Sequence, residues 1–313
     1  MISKRMYEPV GIIMATNEGL LSLDPGGEPR TIVADTTFLD VEYRDGLGIA
    51  ASAEGVWVHN GRRNERWQNS LEQDVAAVAV TTAGTLFAGT TEGKLFSSDS
   101  SGESWREIEG VQHIIRHGRF SPPAGEKPRP VSVAQAKEGI LIGISGGGTW
   151  HTRDNGDSWL RRADGLDPKV HKIYSHPTRA DRLFATASSG VYRSEDEGYS
   201  WIQSLGGLDR SFGGSLAVLP GAPDSLVLSM ARHSPGTSGA VFRSANGGVS
   251  WSRLILEGED EWEEIPCVTR PSDWEDLVFI AAGGMIFASH DRGRNWLKLN
   301  DGLPICNAIA ASL

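Results

Sequence analysis

The chain has 313 residues, including 38 glycines and 10 tryptophans, and hydrophobic residues make up 39% of it. This composition favours many short strands and tight turns anchored by large side chains over a helical fold. The formal net charge of -10 excludes a general nucleic-acid binder, which would carry a basic face.

The N-terminal stretch carries positive charges but only a five-residue apolar run, GIIMA at 11–15. No segment approaches the roughly 18 consecutive apolar residues that a membrane-spanning helix needs. The chain has only two cysteines, Cys267 and Cys306, as is usual in a reducing compartment. We therefore expect a soluble, acidic, cytoplasmic protein that does not insert into membranes.

Seven segments along the chain have the pattern of a strand pair, with alternating apolar residues on either side of a glycine-containing turn. In chain order they are residues 9–24, 46–60, 84–98, 139–152, 181–194, 224–244 and 275–289. Their spacing is that of a repeat in which each copy forms one blade of a propeller.

Five of these segments run into the same short pattern, [S/T]-x-[D/N/S]-x-G-x-x-W, which we call the box. A short polar side chain can hold a turn by bonding backbone N–H groups, glycine permits a positive φ, and tryptophan anchors the turn. Because Asn or Ser replaces Asp in some copies, we interpret the boxes as structural rather than catalytic. Their main residues are Asp154, Asp196, Asn246, Asp291, Trp105, Trp159, Trp201, Trp251 and Trp296.

The repeat predicts an all-β fold, a seven-bladed β-propeller of four-stranded antiparallel blades that forms a single domain over residues 1–313. Each box is expected in the turn between the third and fourth strands of its blade. Residues 307–313 are expected to pair into the first blade and close the ring, which removes open sheet edges.

The boxes resemble the Asp-box, or BNR, repeats of sialidases, sortilin-like propellers, xyloglucan-cleaving glycosidases and the photosystem II assembly-factor family. The resemblance covers essentially the whole chain and implies the propeller fold. In these families the boxes lie at the blade periphery, away from the active face. A fold shared with enzymes does not carry their chemistry with it.

The sialidase site does not carry over to this sequence. The Arg-Ile-Pro motif of that family is absent, and none of the five tyrosines lies in a recognisable nucleophile context. Classical sialidase activity is therefore not expected. A glycosidase with two carboxylates on different blades stays open, because such a pair has no characteristic spacing in sequence.

Ligands of propellers usually bind on the face formed by the connections between blades and by the turns between second and third strands. Three segments of this kind are unusual: 109–131, 231–241 and 257–266. Each is either a surface excursion or a functional loop, and the acidic third one could pair with a basic partner or with residues 113–129. The candidate residues on this face are His113, Arg116, His117, Arg119, His171, Arg210, Arg232, His233, Trp262 and Glu263.

Four histidines, His113, His117, His171 and His233, are weak candidates for a divalent metal site. A helix would align His113 with His117, but we do not expect one because proline and glycine lie nearby. No other cofactor is indicated, since phosphate-binding glycine motifs are absent. Cys267 and Cys306 are either buried thiols or a disulfide across the closure of the ring.

The sequence favours a non-catalytic binding or assembly scaffold that presents one face to a protein, small molecule or glycan. The alternative is an enzyme of the channel mouth, either a glycan-cleaving hydrolase or a metal-assisted lyase or hydrolase. An enzyme should bring the histidines or a pair of acids together in a pocket, whereas a scaffold should show a broad contact face.

Overall fold

The computed structural model describes residues 11–61 and 64–312; residues 1–10, 62–63 and 313, which include the start of the first predicted strand pair, lie outside them. Within the described residues the fold is all-β, with seven antiparallel sheets arranged as the blades of a propeller. The predicted architecture is therefore confirmed. One helix, α1 (Glu109–His117), is the exception among the described elements.

The blades follow one another in chain order, and in blades 2 to 7 the inner strand comes first. Blade 1 contains β1 (Gly11–Thr16), β2 (Gly19–Leu23) and β3 (Arg30–Ala34), and blade 2 contains β4 (Phe38–Arg44), β5 (Leu47–Ser52), β6 (Gly55–Asn60) and β7 (Asn64–Leu71). Blade 3 contains β8 (Val75–Val80), β9 (Leu86–Thr90), β10 (Leu95–Ser98) and β11 (Arg106–Glu107), and blade 4 contains β12 (Pro130–Gln135), β13 (Ile140–Ile144), β14 (Gly148–Thr152) and β15 (Leu160–Arg161).

The remaining strands complete the ring. Blade 5 contains β16 (Val170–Ser175), β17 (Leu183–Ala187), β18 (Gly190–Ser194) and β19 (Ile202–Ser204), and blade 6 contains β20 (Phe212–Leu219), β21 (Ser225–His233), β22 (Thr237–Ser244), β23 (Ser252–Arg253) and β24 (Trp262–Glu264). Blade 7 contains β25 (Cys267–Thr269), β26 (Val278–Ala282), β27 (Met285–Ser289) and β28 (Leu297–Asn300), and β29 (Cys306–Ser312) is the inner strand of blade 1.

The ring closes as the sequence predicts. Strand β29 pairs antiparallel with β1, with Ile13 opposite Ala310. Each inner strand contacts the inner strand of the next blade, and β25 contacts β29. The closure pairs an edge of the first sheet that would otherwise expose unpaired N–H and C=O groups.

The core is divided among the seams between neighbouring blades. Seven clusters of buried apolar side chains fill these seams within the described chain, one for each pair of adjacent blades. The cluster at the closure joins Ile12 and Met14 of blade 1 to Phe279 of blade 7. Strand residues alternate in direction, so each blade packs one face against each neighbour.

Two of the three unusual segments are ordered by strand pairing. Residues 231–241 form the end of a long hairpin of β21 and β22, in which His233 pairs with Thr237. Within the acidic segment, β24 adds to the free side of this hairpin, with Trp262 opposite Gly239. Blade 6 is thus extended beyond four strands, and backbone pairing orders residues that composition alone marks as loop.

Candidate functional site

The boxes lie between the third and fourth strands of their blades, at the places that the repeat predicts. In blade 4 the Asp154 carboxylate accepts bonds from the Thr152 hydroxyl at 2.7 Å and from the Ser158 N–H at 2.9 Å. The indole N–H groups of the five box tryptophans donate to the carbonyls of Gly156, Arg162 and Gly293 and to the hydroxyls of Ser70 and Ser204. The polar box side chains therefore bond within their own turns, whereas three of the five tryptophans, Trp105, Trp201 and Trp251, bond to residues of the preceding blade.

A cluster of three arginines and three acids lies where the connection into blade 6 meets the acidic segment. The Arg210 side chain is fully buried and donates to Asp209 at 2.7 Å and to Glu261. Arg232 lies 3.4 Å from Asp209, and Arg253 lies 3.3 Å from Asp260. The acidic segment thus pairs with arginines of blade 6 and of the connection that leads into it.

The pKa of Asp209 reflects this pairing. Burial raises its pKa, but the bond to Arg210 and the positive charges of Arg210, Arg253 and Arg232 outweigh burial and hold the pKa below its usual range. The candidate residues Arg210 and Arg232 are therefore already neutralised by acids of the same chain.

Trp262 and Glu263 have opposite environments although they are adjacent. Trp262 is only 6% exposed and packs with Val241 and Ile280 in the seam between blades 6 and 7, so it does not present an aromatic surface to a ligand. Glu263 is exposed to solvent. Of this predicted pair, only Glu263 faces outward.

His171 lies near the start of β16, the inner strand of blade 5, next to the start of β20 in blade 6. Its Nδ1 lies 2.6 Å from the Gly213 carbonyl oxygen, and its Nε2 lies 3.1 Å from the Ser188 hydroxyl. Burial lowers the pKa of this imidazole, against a smaller opposing effect of the bond to Gly213. A ring with both nitrogens engaged in this way is fixed in orientation.

The central channel contains an ion cluster that the sequence analysis missed. Lys172 of blade 5 reaches across the ring to Asp40 at 3.0 Å and to Glu42 at 3.3 Å, both on β4 of blade 2. The same two carboxylates accept the N–H groups of Val78 and Val80. The signal available in sequence was the alternation of two acids, Asp40 and Glu42, just before the strand pair predicted at 46–60.

The ionisation of the channel cluster follows from its enclosure. Burial raises the pKa of Glu42, and Lys172 opposes this effect. Burial would lower the pKa of Lys172, but the charges of Asp40 and Glu42 raise it above its ordinary value. The positive charge of Lys172 and the carboxylates of Asp40 and Glu42 therefore stabilise one another across the channel.

A groove runs between α1 and the outer part of blade 4. Its volume is about 330 Å³, and Trp150 and Trp159 form part of its wall. On the helix side it is lined by His113 and His117, whose ring centroids are 4.5 Å apart. Asp157 lines the opposite side. Pockets of this size and mixed character are typical of ligand sites.

The sequence analysis did not expect a helix at His113 and His117, because proline and glycine lie nearby, but α1 forms there. His113 and His117 are aligned on α1, but they face the groove at the seam of blades 3 and 4. Arg116 and Arg119 are exposed. Among residues 11–61 and 64–312, no three His, Cys, Asp or Glu side chains form a group suited to one metal ion, so the four candidate histidines do not converge.

Cys267 and Cys306 are free thiols rather than a disulfide. The Cys267 thiol lies 3.4 Å from the Cys306 carbonyl oxygen, and burial raises the pKa of Cys267 to about 12. A thiol with so high a pKa is a poor nucleophile. In the described part of the chain, no helix has the length and apolar character that crossing a membrane requires.

No family model and no curated protein matches this sequence. Solved structures do resemble its fold. An ancestral GH74 enzyme is 19% identical with a TM-score of 0.61, and the match covers 96% of this chain and 39% of that one. The GH74 xyloglucanase from Xanthomonas campestris is 14% identical with a TM-score of 0.63, covering 93% of this chain and 47% of that one.

A third similar structure is YCF48 bound to a D1 peptide. It is 17% identical with a TM-score of 0.57, and the match covers 90% of this chain and 89% of that chain. This chain therefore spans less than half of each of the two GH74 chains but nearly all of YCF48. At these identities the likenesses support the propeller fold.

Proposed function

We propose that the protein is a non-catalytic binding scaffold, a single propeller domain that presents the α1 groove and the adjoining face to a protein or peptide. The observation that carries this proposal is the groove itself, an open recess of about 330 Å³ with aromatic walls. Among the described residues, His113 and His117 have no hydrogen-bond partner in the chain and contact each other. Unpaired polar groups around an aromatic recess suit recognition of a partner.

Three other candidate residues are already bonded within the chain, which leaves the groove as the better candidate for the contact surface of a scaffold. Arg210 and Arg232 are paired with acids, and both nitrogens of His171 have neighbours at bonding distance. YCF48, which matches this chain over 89% of its own length, is bound to a D1 peptide in its solved structure. The cytoplasm remains the proposed location, supported by two free cysteines.

Site-specific photocrosslinking in living cells tests the scaffold proposal. A photoreactive phenylalanine analogue at His117 should give a discrete protein adduct, whereas the same analogue at exposed Lys137, on the turn after β12, should not. Adducts from neither position, or equally from both, would contradict the proposal that the groove is the contact surface.

A glycan-cleaving hydrolase is a second candidate function, and the channel cluster is the observation that favours it. Asp40 and Glu42 contact the same lysine, and burial raises the pKa of Glu42, as a general acid requires. Pairs of carboxylates carry out glycoside hydrolysis. The two similar GH74 structures include a xyloglucanase.

Release of reducing ends from xyloglucan and other soluble glycans tests this second candidate. An active enzyme should lose its activity in both the Asp40→Asn and the Glu42→Gln variants. Activity that survives both substitutions would rule out this carboxylate pair, and no release from any glycan would count against hydrolysis.

A further inference from the structure

Two imidazoles project side by side from α1. His113 and His117 are one helical turn apart, a spacing that brings side chains together on one face of a helix. Their ring centroids are 4.5 Å apart, with an angle of 49° between the ring planes. Both residues are exposed, and neither donates to or accepts from another described group.

The separation of the rings fits two ligands of one metal ion. Metal–nitrogen bonds of about 2.0–2.1 Å to two imidazoles place the ring centres about 4.5–5 Å apart when the ligands occupy adjacent positions. The observed distance lies at this spacing without movement of the helix. Imidazole is a preferred ligand of Zn²⁺, Cu²⁺ and Ni²⁺, whereas Mg²⁺ and Ca²⁺ prefer oxygen.

The charges around the two histidines favour a cation. The groove is lined by Asp157 and Ser158 opposite the helix, and no Lys or Arg is among its lining residues. Arg116, on the same helix, lies 3.5 Å from Gln112 instead of entering the groove. A volume of about 330 Å³ leaves room for several waters beside a bound ion.

We propose that His113 and His117 form a two-histidine chelate for a divalent transition-metal ion of the Cu²⁺, Ni²⁺ and Zn²⁺ class. The remaining coordination positions face the groove and are filled by water or by a ligand bound there. The site differs from a three-residue metal centre, which the described residues do not contain. It does not depend on the proposed scaffold function, because metal binding needs no partner protein.

Isothermal titration of untagged, metal-free protein tests the chelate. About one equivalent of Cu²⁺ should bind, more tightly than Ni²⁺ or Zn²⁺, as the general order of affinities predicts. Mg²⁺ should not bind at this site. The electron paramagnetic resonance spectrum of the Cu²⁺ form should show coordination by imidazole nitrogen.

Single substitutions assign the ligands. His113→Ala and His117→Ala should each weaken Cu²⁺ and Zn²⁺ binding by roughly tenfold or more. Alanine is a better helix former than histidine, so α1 should persist, and circular dichroism checks this. His233→Ala is the matched control, because His233 is an exposed histidine outside the groove, and it should leave binding unchanged.

Two results would overturn the chelate. One is the absence of Cu²⁺, Ni²⁺ and Zn²⁺ binding at free concentrations up to about 0.1 mM. The other is equal affinity in the parent protein and in the His113→Ala/His117→Ala double variant. Crosslinking from the groove would be unaffected by either result, so failure of this proposal and failure of the scaffold proposal are distinguishable.

Discussion

The third position of each box is filled by different side chains that make the same bonds. In blade 5 the Asp196 carboxylate accepts bonds from the Ser200 N–H at 2.9 Å and from the Ser194 hydroxyl at 2.8 Å. In blade 6 the Asn246 side-chain oxygen is 3.0 Å from the Ser250 N–H and 2.9 Å from the Ser244 hydroxyl. The turn therefore requires an acceptor oxygen at this position, whether or not it carries a charge.

Substitution of Asp196 separates the acceptor from the charge. Asp196→Asn should change the free energy of unfolding by less than about 0.5 kcal/mol, because the amide oxygen keeps the bonds. Asp196→Ala should lower it by about 1 kcal/mol, a modest loss because the site is exposed. Chemical denaturation measures both. If Asn were as destabilising as Ala, the charge would be the property that the turn needs.

A buried cluster at the seam of blades 5 and 6 makes a single histidine sensitive to pH. The His176 Nδ1 accepts the N–H groups of Thr178 and Arg179, and its Nε2 lies 3.1 Å from Asp224. Burial lowers the pKa of His176, against the opposing effect of Asp224. The folded protein therefore holds this imidazole neutral at a pH where the unfolded chain binds a proton.

We predict that stability falls as the pH drops below about 6.5, the ordinary pKa of histidine, by up to about 1.4 kcal/mol per pH unit for His176. The direction follows from linkage, because the unfolded state takes up protons that the folded state excludes. His176→Asn should reduce this slope, since an Asn oxygen can accept the two N–H groups without titrating.

Unfolding free energies of the parent protein and the His176→Asn variant, measured at intervals between pH 7.5 and 5, give the slopes. Part of the slope should persist in the variant, because burial also lowers the pKa of His151 and His171. Identical slopes in the two proteins would contradict the assignment to His176.

Among the elements, α1 is the one that the sequence analysis excluded. The nearby prolines, Pro122 and Pro123, follow the C-cap of α1 at Gly118, so they do not interrupt the helix. Val111 and Ile114 are buried together with Ile108 in the seam between blades 3 and 4. Packing of this apolar face stabilises a short helix that local propensity disfavours. The glycine within it, Gly110, permits close approach to the next blade.

Gly110→Ala tests this close approach. A Cβ at residue 110 would overlap the Gly156 carbonyl oxygen and lie 2.8 Å from the Trp159 Nε1. We expect a loss of about 1–3 kcal/mol in the free energy of unfolding, because the backbone cannot yield as a side chain does.

Gln112→Ala on the same helix is the control and should be nearly neutral, because Gln112 makes only a long contact of 3.5 Å to exposed Arg116. A Gly110→Ala variant as stable as the parent protein would show that α1 can shift away from blade 4 without cost.

At the scale of the whole molecule, the pairing of β29 with β1 closes the ring, and we expect the stability of the protein to depend on it. Ala310 lies opposite Ile13 in the middle of the β29–β1 pairing and is only 3% exposed. Residues from the two ends of the described chain therefore form one sheet. Loss of this pairing should affect the two seams beside blade 1 together.

Ala310→Pro should lower the free energy of unfolding by about 3 kcal/mol or more, because proline in the middle of β29 removes a backbone N–H and fixes φ within the strand that pairs with β1. Ala310→Gly keeps the N–H and should cost only about 1 kcal/mol. Guanidinium denaturation compares the two. Equal effects of Pro and Gly would mean that side-chain packing rather than strand pairing holds the closure.

The sequence predicted contacts within a turn or hairpin better than contacts between residues of different blades. The boxes, the seven strand pairs and the closing strand were all expected, because turn chemistry and apolar alternation are written in short stretches. Arg210 was named as a candidate for the ligand face, but its burial among Asp209 and Glu261 was not foreseen. Trp262 was expected to face a ligand and is buried instead.

Fold class, blade number and ring closure were determined by the sequence alone, since each repeat specifies its own hairpins and its own apolar faces. Only the tertiary structure decided which charges meet. Lys172 and Asp40 are 132 residues apart and are joined across the channel. It also decided that α1 forms and that His113 and His117 face blade 4. Such contacts arise from the packing of separate blades, and no local pattern records them.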